Sequence, residues 1–252
     1  MSTVSVLVLR AAGINCDEET AYAWELAGAD AVRLHVNRLI EDPRLLEGFQ
    51  ILSIPGGFSY GDDIAAGMIL GLRLARHLGE SLKGFIARGA LVLGICNGFQ
   101  VLVRAGLLPG PACGESVTLT LNRSGRYEDR WVRLRVGSAR CAFLERDEEF
   151  ALPVAHAEGR FAVSSEAALA TLESRACVAL RYIAPDGGEP SYPDNPNGSM
   201  GNVAGLTDDT GRVLGLMPHP ERYVTVTNAP HWTRGRRGEP DGLRIFRRAV
   251  GH

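Results

Sequence analysis

The chain has 252 residues, 45% hydrophobic and 22% charged, a balance that excludes a disordered or collagen-like protein. A net charge of −2 gives no electrostatic reason to expect nucleic acid or an anionic membrane as partner. Of the 27 basic residues only Lys83 is a lysine, and its setting, Ser81-Leu82-Lys83-Gly84, is not a P-loop.

Met1-Ser2-Thr3-Val4 has no basic residue, so no secretory leader is expected. Val4–Leu9 is a short apolar run suited to a buried parallel strand. Asp17–Gly28 predicts a helix, with three acidic residues in its first turn and glycine at its end. Ala31–Val36 and Phe49–Ile54 are further strand candidates, the second closed by Pro55-Gly56-Gly57. Met68–Leu78 has helical spacing, Ala90–Ile95 is a fourth strand, and a helix runs from Asn97 to Ala105. The apolar stretch between Arg88 and Arg104 is too short to span a membrane. Beyond it, Glu115–Val136 alternates like strand around a turn at Ser124-Gly125-Arg126. Arg175–Ile183 and Val213–Met217 are strand candidates, and Pro185–Gly201 reads as one long loop. The basic stretch Arg234–Pro240 is expected to be exposed, as a solvated surface or a protein contact. Asp241 is placed to cap a last helix, Gly242–Val250. The strand–helix alternation predicts one α/β domain over residues 1–252. Its sheet is doubly wound and mostly parallel, with helices on both faces and β-rich insertions in the second half. Five cysteines, an odd number without CxxC spacing, argue against disulfides and zinc knuckles and for a reducing cytoplasm.

Gly94-Ile95-Cys96-Asn97-Gly98 joins a buried strand to a helix. This is a nucleophile elbow with cysteine in the serine position: the glycines permit a tight turn, and the helix N-terminus favours thiolate. A thiolate nucleophile needs a base and an orienting acid. His219 follows a strand within Met217-Pro218-His219-Pro220-Glu221-Arg222, and Glu221, two residues on, can face the same side. Acyl chemistry also needs an oxyanion hole. The N–H of Asn97 supplies one donor, and the glycine turn Pro55-Gly56-Gly57-Phe58 is placed to supply another. Taken singly, each has a plainer reading: a small buried apolar cysteine, a surface His-x-Glu, an ordinary turn.

Three motifs, Pro55-Gly56-Gly57-Phe58-Ser59-Tyr60-Gly61-Asp62, Gly94–Gln100 and Met217–Arg222, resemble those of the class I (triad) glutamine amidotransferases. Gly13-Ile14-Asn15-Cys16-Asp17, Gly106–Gly110, Pro153–His156 and Asn195-Pro196-Asn197-Gly198-Ser199 narrow the resemblance. They are similar to the glutaminase subunits of phosphoribosylformylglycinamidine synthases, in purine biosynthesis. The resemblance implies a flavodoxin-like glutaminase domain with Cys96 as nucleophile, His219 as base and Glu221 as its partner. It implies Gly57 and Asn97 in the oxyanion hole and Phe58, Gln100 and His156 at the glutamine pocket, with Glu158 near by. It implies no metal or cofactor in this chain, ATP and magnesium residing in a large synthetase subunit, with a small third subunit as a further candidate partner. A glutaminase for another ATP-dependent amidation and a non-catalytic binding subunit are the alternatives. Cys16, Cys113, Cys141 and Cys177 are read as structural. Two departures stand out: Ala157 replaces a glycine frequent in the family, and Ser124–Trp131 is closer to the longer, fused form of the enzyme.

Overall fold

The computed structural model describes residues 3–113, 116–137, 140–234 and 238–252. The expected start of strand at Glu115 and part of the basic stretch after Arg234 lie outside them.

The first half follows the alternation in the sequence. β1 (Ser5–Arg10), α1 (Asp17–Leu26), β2 (Asp30–His35), a short α2 (Val36–Glu41), β3 (Ile51–Ile54), α3 (Met68–Ala87), β4 (Leu91–Ile95) and α4 (Asn97–Arg104) succeed one another. α2 was not foreseen. α3 runs nine residues past the expected end at Leu78, because Leu70, Leu74, Leu78, Leu82 and Phe85 continue one buried stripe. Gly79 and Gly84 face open space inside it. Each costs about 1 kcal/mol relative to alanine, less than burying Leu82 and Phe85 returns.

The second half contains β5 (Val117–Thr120), β6 (Glu128–Val136), β7 (Glu149–His156), β8 (Arg160–Val163), α5 (Glu166–Ser174), β9 (Val178–Tyr182), β10 (Val203–Thr207), β11 (Val213–Leu216) and α6 (Asp241–Val250). Among the described residues the main sheet has nine strands in the order β2-β1-β3-β4-β11-β10-β9-β6-β7, and β5 pairs with β8 apart from it. From β2 to β11 the strands are parallel; β10, β9, β6 and β7 are antiparallel. The β-rich insertion thus widens the sheet. The 124–126 turn joins two strands that do not pair with each other.

Right-handed crossovers set the layers. The chain steps one way from β1 to β2 and the other way from β3 to β4, so α1 covers one face and α3 and α4 the other. α6 joins α1, where Phe246 meets Trp24 edge-to-face at 4.8 Å between ring centres. At the carboxyl edge, the ends of β1, β3, β4 and β11 stand side by side, the usual ligand crevice of such sheets.

Two expectations are corrected. Cys113 and Cys177, both fully buried, are joined in a disulfide that ties the segment after α4 to the lead-in of β9. Their separation of 64 residues left no local spacing to read. Asp241 does not cap α6. It is the first helical residue, and its carboxylate accepts the N–H of Ala151 and pairs with Arg244.

Candidate active site

Cys96 occupies the turn between β4 and α4 at φ 51° and ψ −106°, a strained conformation for a residue with a side chain. The glycines on either side make it feasible. A Cβ on Gly94 would lie 2.7 Å from the Gly98 carbonyl oxygen, and one on Gly98 would strike the Ile54 oxygen at 1.9 Å. The end of β3 and the start of α4 are therefore in near contact. The Cys96 thiol is buried and points toward the Ala155 carbonyl, 3.8 Å away.

His219 follows β11, the neighbour of β4. Its backbone is held between two prolines and by an N–H bond to the Pro153 carbonyl of 2.8 Å. Its buried Nδ1 lies 2.5 Å from Glu221 Oε1; the carboxylate can only accept, so Nδ1 donates and Nε2 faces the site. Among the described residues Nε2 meets no hydrogen-bond partner of ordinary geometry, only the Cys16 and Cys96 thiols. Burial disfavours the imidazolium, but the Glu221 carboxylate and Cys96 outweigh it, holding His219 well above the usual histidine range. The arrangement suits a thiolate–imidazolium pair.

Gly57 follows β3 at φ 140°, bridged to Ile14; a side chain there would collide with the backbone of residues 13–15. Neither its N–H nor that of Asn97 donates to another described residue, leaving two free donors on neighbouring strand ends. A buried thiol, a histidine raised toward its charged form and two open amides are the parts that acyl transfer requires.

Residues 3–252 match the family model of the CobB/CobQ-like glutamine amidotransferase domain. The chain belongs to that family. Among its relatives, the phosphoribosylformylglycinamidine synthase subunit PurQ of Dehalococcoides mccartyi is 46% identical, over 99% of this chain and 98% of that protein. The PurQ subunit of Archaeoglobus fulgidus is 39% identical over 98% and 96%. A solved chain described as the structure of PurLQS from Thermotoga maritima superposes with a TM-score of 0.74 at 29% identity, covering 99% of both chains.

In this amidotransferase the expected pocket residues fall into different environments. Phe58 is half exposed at the mouth. Gln100 is buried and already engaged: Oε1 accepts from Asn97 Nδ2, and Nε2 donates to the Glu158 carbonyl. It braces the pocket wall. Asn97 also donates to Asp62 Oδ1 at 3.0 Å and accepts from the Ser59 N–H at 3.1 Å, fixing the loop after β3. Burial raises the Asp62 pKa, and the Glu158 carboxylate raises it further, against hydrogen bonds from Gly67 and Asn97.

His156 is buried beneath Gly159, where a Cβ would strike the ring. Its tautomer follows from its neighbour. Asn122 Nδ2 donates to the carbonyls of Arg126 and His156, so Oδ1 is the acceptor for the Gly159 N–H and for His156 Nδ1–H. His156 Nε2 is then a bare acceptor with no partner among the described residues. Burial, with help from the charge on His219, lowers the His156 pKa to about 3. Ala157 is not among the residues with positive φ, so the replacement of glycine there is without backbone cost.

Cys16, read as merely structural, lies in the site. Its Sγ accepts from Arg222 at 3.3 Å, and a Cβ on Gly56 would lie 3.3 Å from that sulfur and 2.9 Å from His219 Cε1. Burial raises the Cys16 pKa, opposed by the hydrogen-bonding influence of His219. Arg222 is held in turn by Glu19 at 3.1 Å. Cys16, His219 and Glu221 bring ligand atoms within 4.8 Å of one another, close enough to grip a soft cation, although the Arg222 guanidinium opposes one. The signal for Cys16 was its place after β1: in this strand order the loops after β1 and β3 share an edge.

Proposed function

We infer that this chain is the glutaminase subunit of phosphoribosylformylglycinamidine synthase, supplying ammonia to a large synthetase subunit that works with a small third one. The observation that carries the chemistry is Cys96 at a strained elbow against the buried His219–Glu221 pair. Identity of 46% to a PurQ subunit along nearly the whole length supports the pathway.

Cys96 thiolate attacks the side-chain carboxamide carbon of glutamine. The negative charge gathering on the amide oxygen meets the N–H groups of Gly57 and Asn97; losing one such donor costs about 3–4 kcal/mol of transition-state stabilisation. His219 protonates the departing nitrogen, and ammonia leaves a glutamyl thioester on Cys96. His219 then takes a proton from water, which attacks the thioester and releases glutamate and the thiolate. Glu221 holds the imidazole in its donating tautomer. The ammonia passes to the synthetase, where ATP and magnesium convert formylglycinamide ribonucleotide to the amidine; this chain itself needs no cofactor or metal. Among the described residues no helix is long and apolar enough to cross a membrane. The proposed compartment is the cytoplasm, where the ribonucleotide and ATP are at hand.

The test is glutamate release from glutamine by the chain alone and with the synthetase subunits, formylglycinamide ribonucleotide and ATP, beside a Cys96→Ala control. Activity that rises with the partners and disappears in the control is expected. Equal activity in the Cys96→Ala control overturns the mechanism, and amidine formation independent of this chain overturns the pathway.

A further inference from the structure

A groove of about 760 Å³ is unused by the chemistry above. One wall is the 123–126 turn before β6; the other is the long loop running from Glu189 to Asn202 before β10. The side chains of Asn195, Asn197 and Ser199 are buried; that of Asn195 bonds the Ser199 backbone and Ser199 Oγ donates to Asn197 Oδ1, so the second wall is firm. Arg123 and Arg126 are exposed, and neither guanidinium has a hydrogen-bond or ion-pair partner among the described residues. Tyr192 lines the groove with Arg130 over its ring, and Tyr127 and Leu121 are exposed on the same turn. Exposed tyrosine and unpaired arginine are the residue types that dominate protein–protein contacts. Glu128 and Glu189 line the same groove but are engaged by Arg130 and Asn202, which leaves the two guanidiniums as its unpaired charge.

Both walls are joined to the glutamine pocket through one turn, residues 156–159. On the groove side, Asn122 binds His156 and the Gly159 N–H, the Asn122 N–H binds the Ala157 carbonyl, and Asn197 binds the Gly159 carbonyl. On the pocket side, Gln100 binds the Glu158 carbonyl and the Ala66 N–H binds Glu158 Oε2. Anything that moves the walls moves the turn that braces Gln100.

We propose that this groove receives a carboxylate-bearing segment of the synthetase subunit, and that its seating sets the 156–159 turn and so raises glutaminase activity. The proposal rests on the reading of the chain as a glutaminase subunit. Free guanidiniums on the rim supply charge complementarity to acidic side chains, and the exposed tyrosines supply contact area. The turn is the physical link from docking to the pocket.

The experiment titrates the synthetase, with the small subunit, formylglycinamide ribonucleotide and ATP present, into wild-type chain and into an Arg123→Glu, Arg126→Glu double variant, reading glutamate release. A photo-crosslinking residue at position 192 identifies what sits in the groove. The double variant is expected to keep the unstimulated rate and to need about tenfold more synthetase for half-maximal stimulation. The crosslink is expected on the synthetase. Stimulation of wild type with an unchanged titration of the variant overturns the proposal. So does a crosslink to the small subunit alone. A wild-type chain with no glutaminase activity under any condition overturns the functional reading, and the proposal with it; the unstimulated rate tells the two failures apart.

Discussion

At the scale of single residues, two histidines with opposite shifts give two separable pH effects. His219 is held well above its ordinary value, so its paired imidazolium adds stability below the unfolded histidine value, lost as pH rises through the folded one. In the proposed mechanism the acid form is the one that protonates the leaving nitrogen. Glu221→Gln removes the principal support for that charge. The alkaline limb of the kcat/KM profile is expected to move to lower pH, with kcat falling roughly 10³–10⁴-fold. His156 behaves in the reverse sense. Above pH 6.5 its ring is neutral folded or unfolded; below it, only the unfolded ring takes a proton until about pH 3. Stability should therefore drop by about 2 kcal/mol between pH 6.5 and 5.0 through this group. Urea denaturation of wild type and His156→Gln at both pH values checks it: the variant should lack that part of the slope. The elbow at Cys96 and the His219–Glu221 pair were legible because each is a local pattern of residue types. Arg222 and Asn122 were not, since nothing in their immediate neighbours says which distant strand end they meet.

At the scale of elements, α6 is joined to the site more tightly than its distance in sequence suggests. A Cβ on Gly242 would fall 1.9 Å from the Pro220 carbonyl oxygen and 2.6 Å from that of Tyr223, so the first turn of the helix rests on the loop carrying His219 and Glu221. Gly242→Ala is expected to push that loop outward, cutting kcat more than it raises KM; steady-state kinetics beside a thermal melt would separate this from simple unfolding. The disulfide acts on stability instead. Closing a loop of 64 residues is worth about 4 kcal/mol by chain entropy, so reductant should lower the denaturation midpoint, with Cys177→Ala already at the lower value. Elements were legible where periodicity was long or apolar runs were bounded by glycine, as at β4 and α4. β7 escaped notice because Pro153 interrupts it, a residue tolerated since β7 is the sheet edge. β10 escaped because five residues around Gly205 carry too little pattern, and only pairing to β9 and β11 makes them strand.

At the scale of the whole molecule, the parallel half of the sheet could be read from alternation alone. The antiparallel half could not: its strands return to the sheet out of chain order, β9 between β10 and β6, and that order is a property of the packed core. The arginine-rich composition meets the fold at one further place. The only lysine, Lys83, lies in the last third of α3, its side chain exposed beside Glu80 while Leu82 and Phe85 next to it are buried. A protease that cuts solely after lysine therefore has one target, Lys83–Gly84, and cannot bind it until α3 unwinds. The native protein should resist such an enzyme. Under increasing denaturant it should split into two fragments, residues 1–83 and 84–252, and nothing else. The extent of that cut against denaturant concentration would read the opening free energy of one helix in a mixture with partner subunits present.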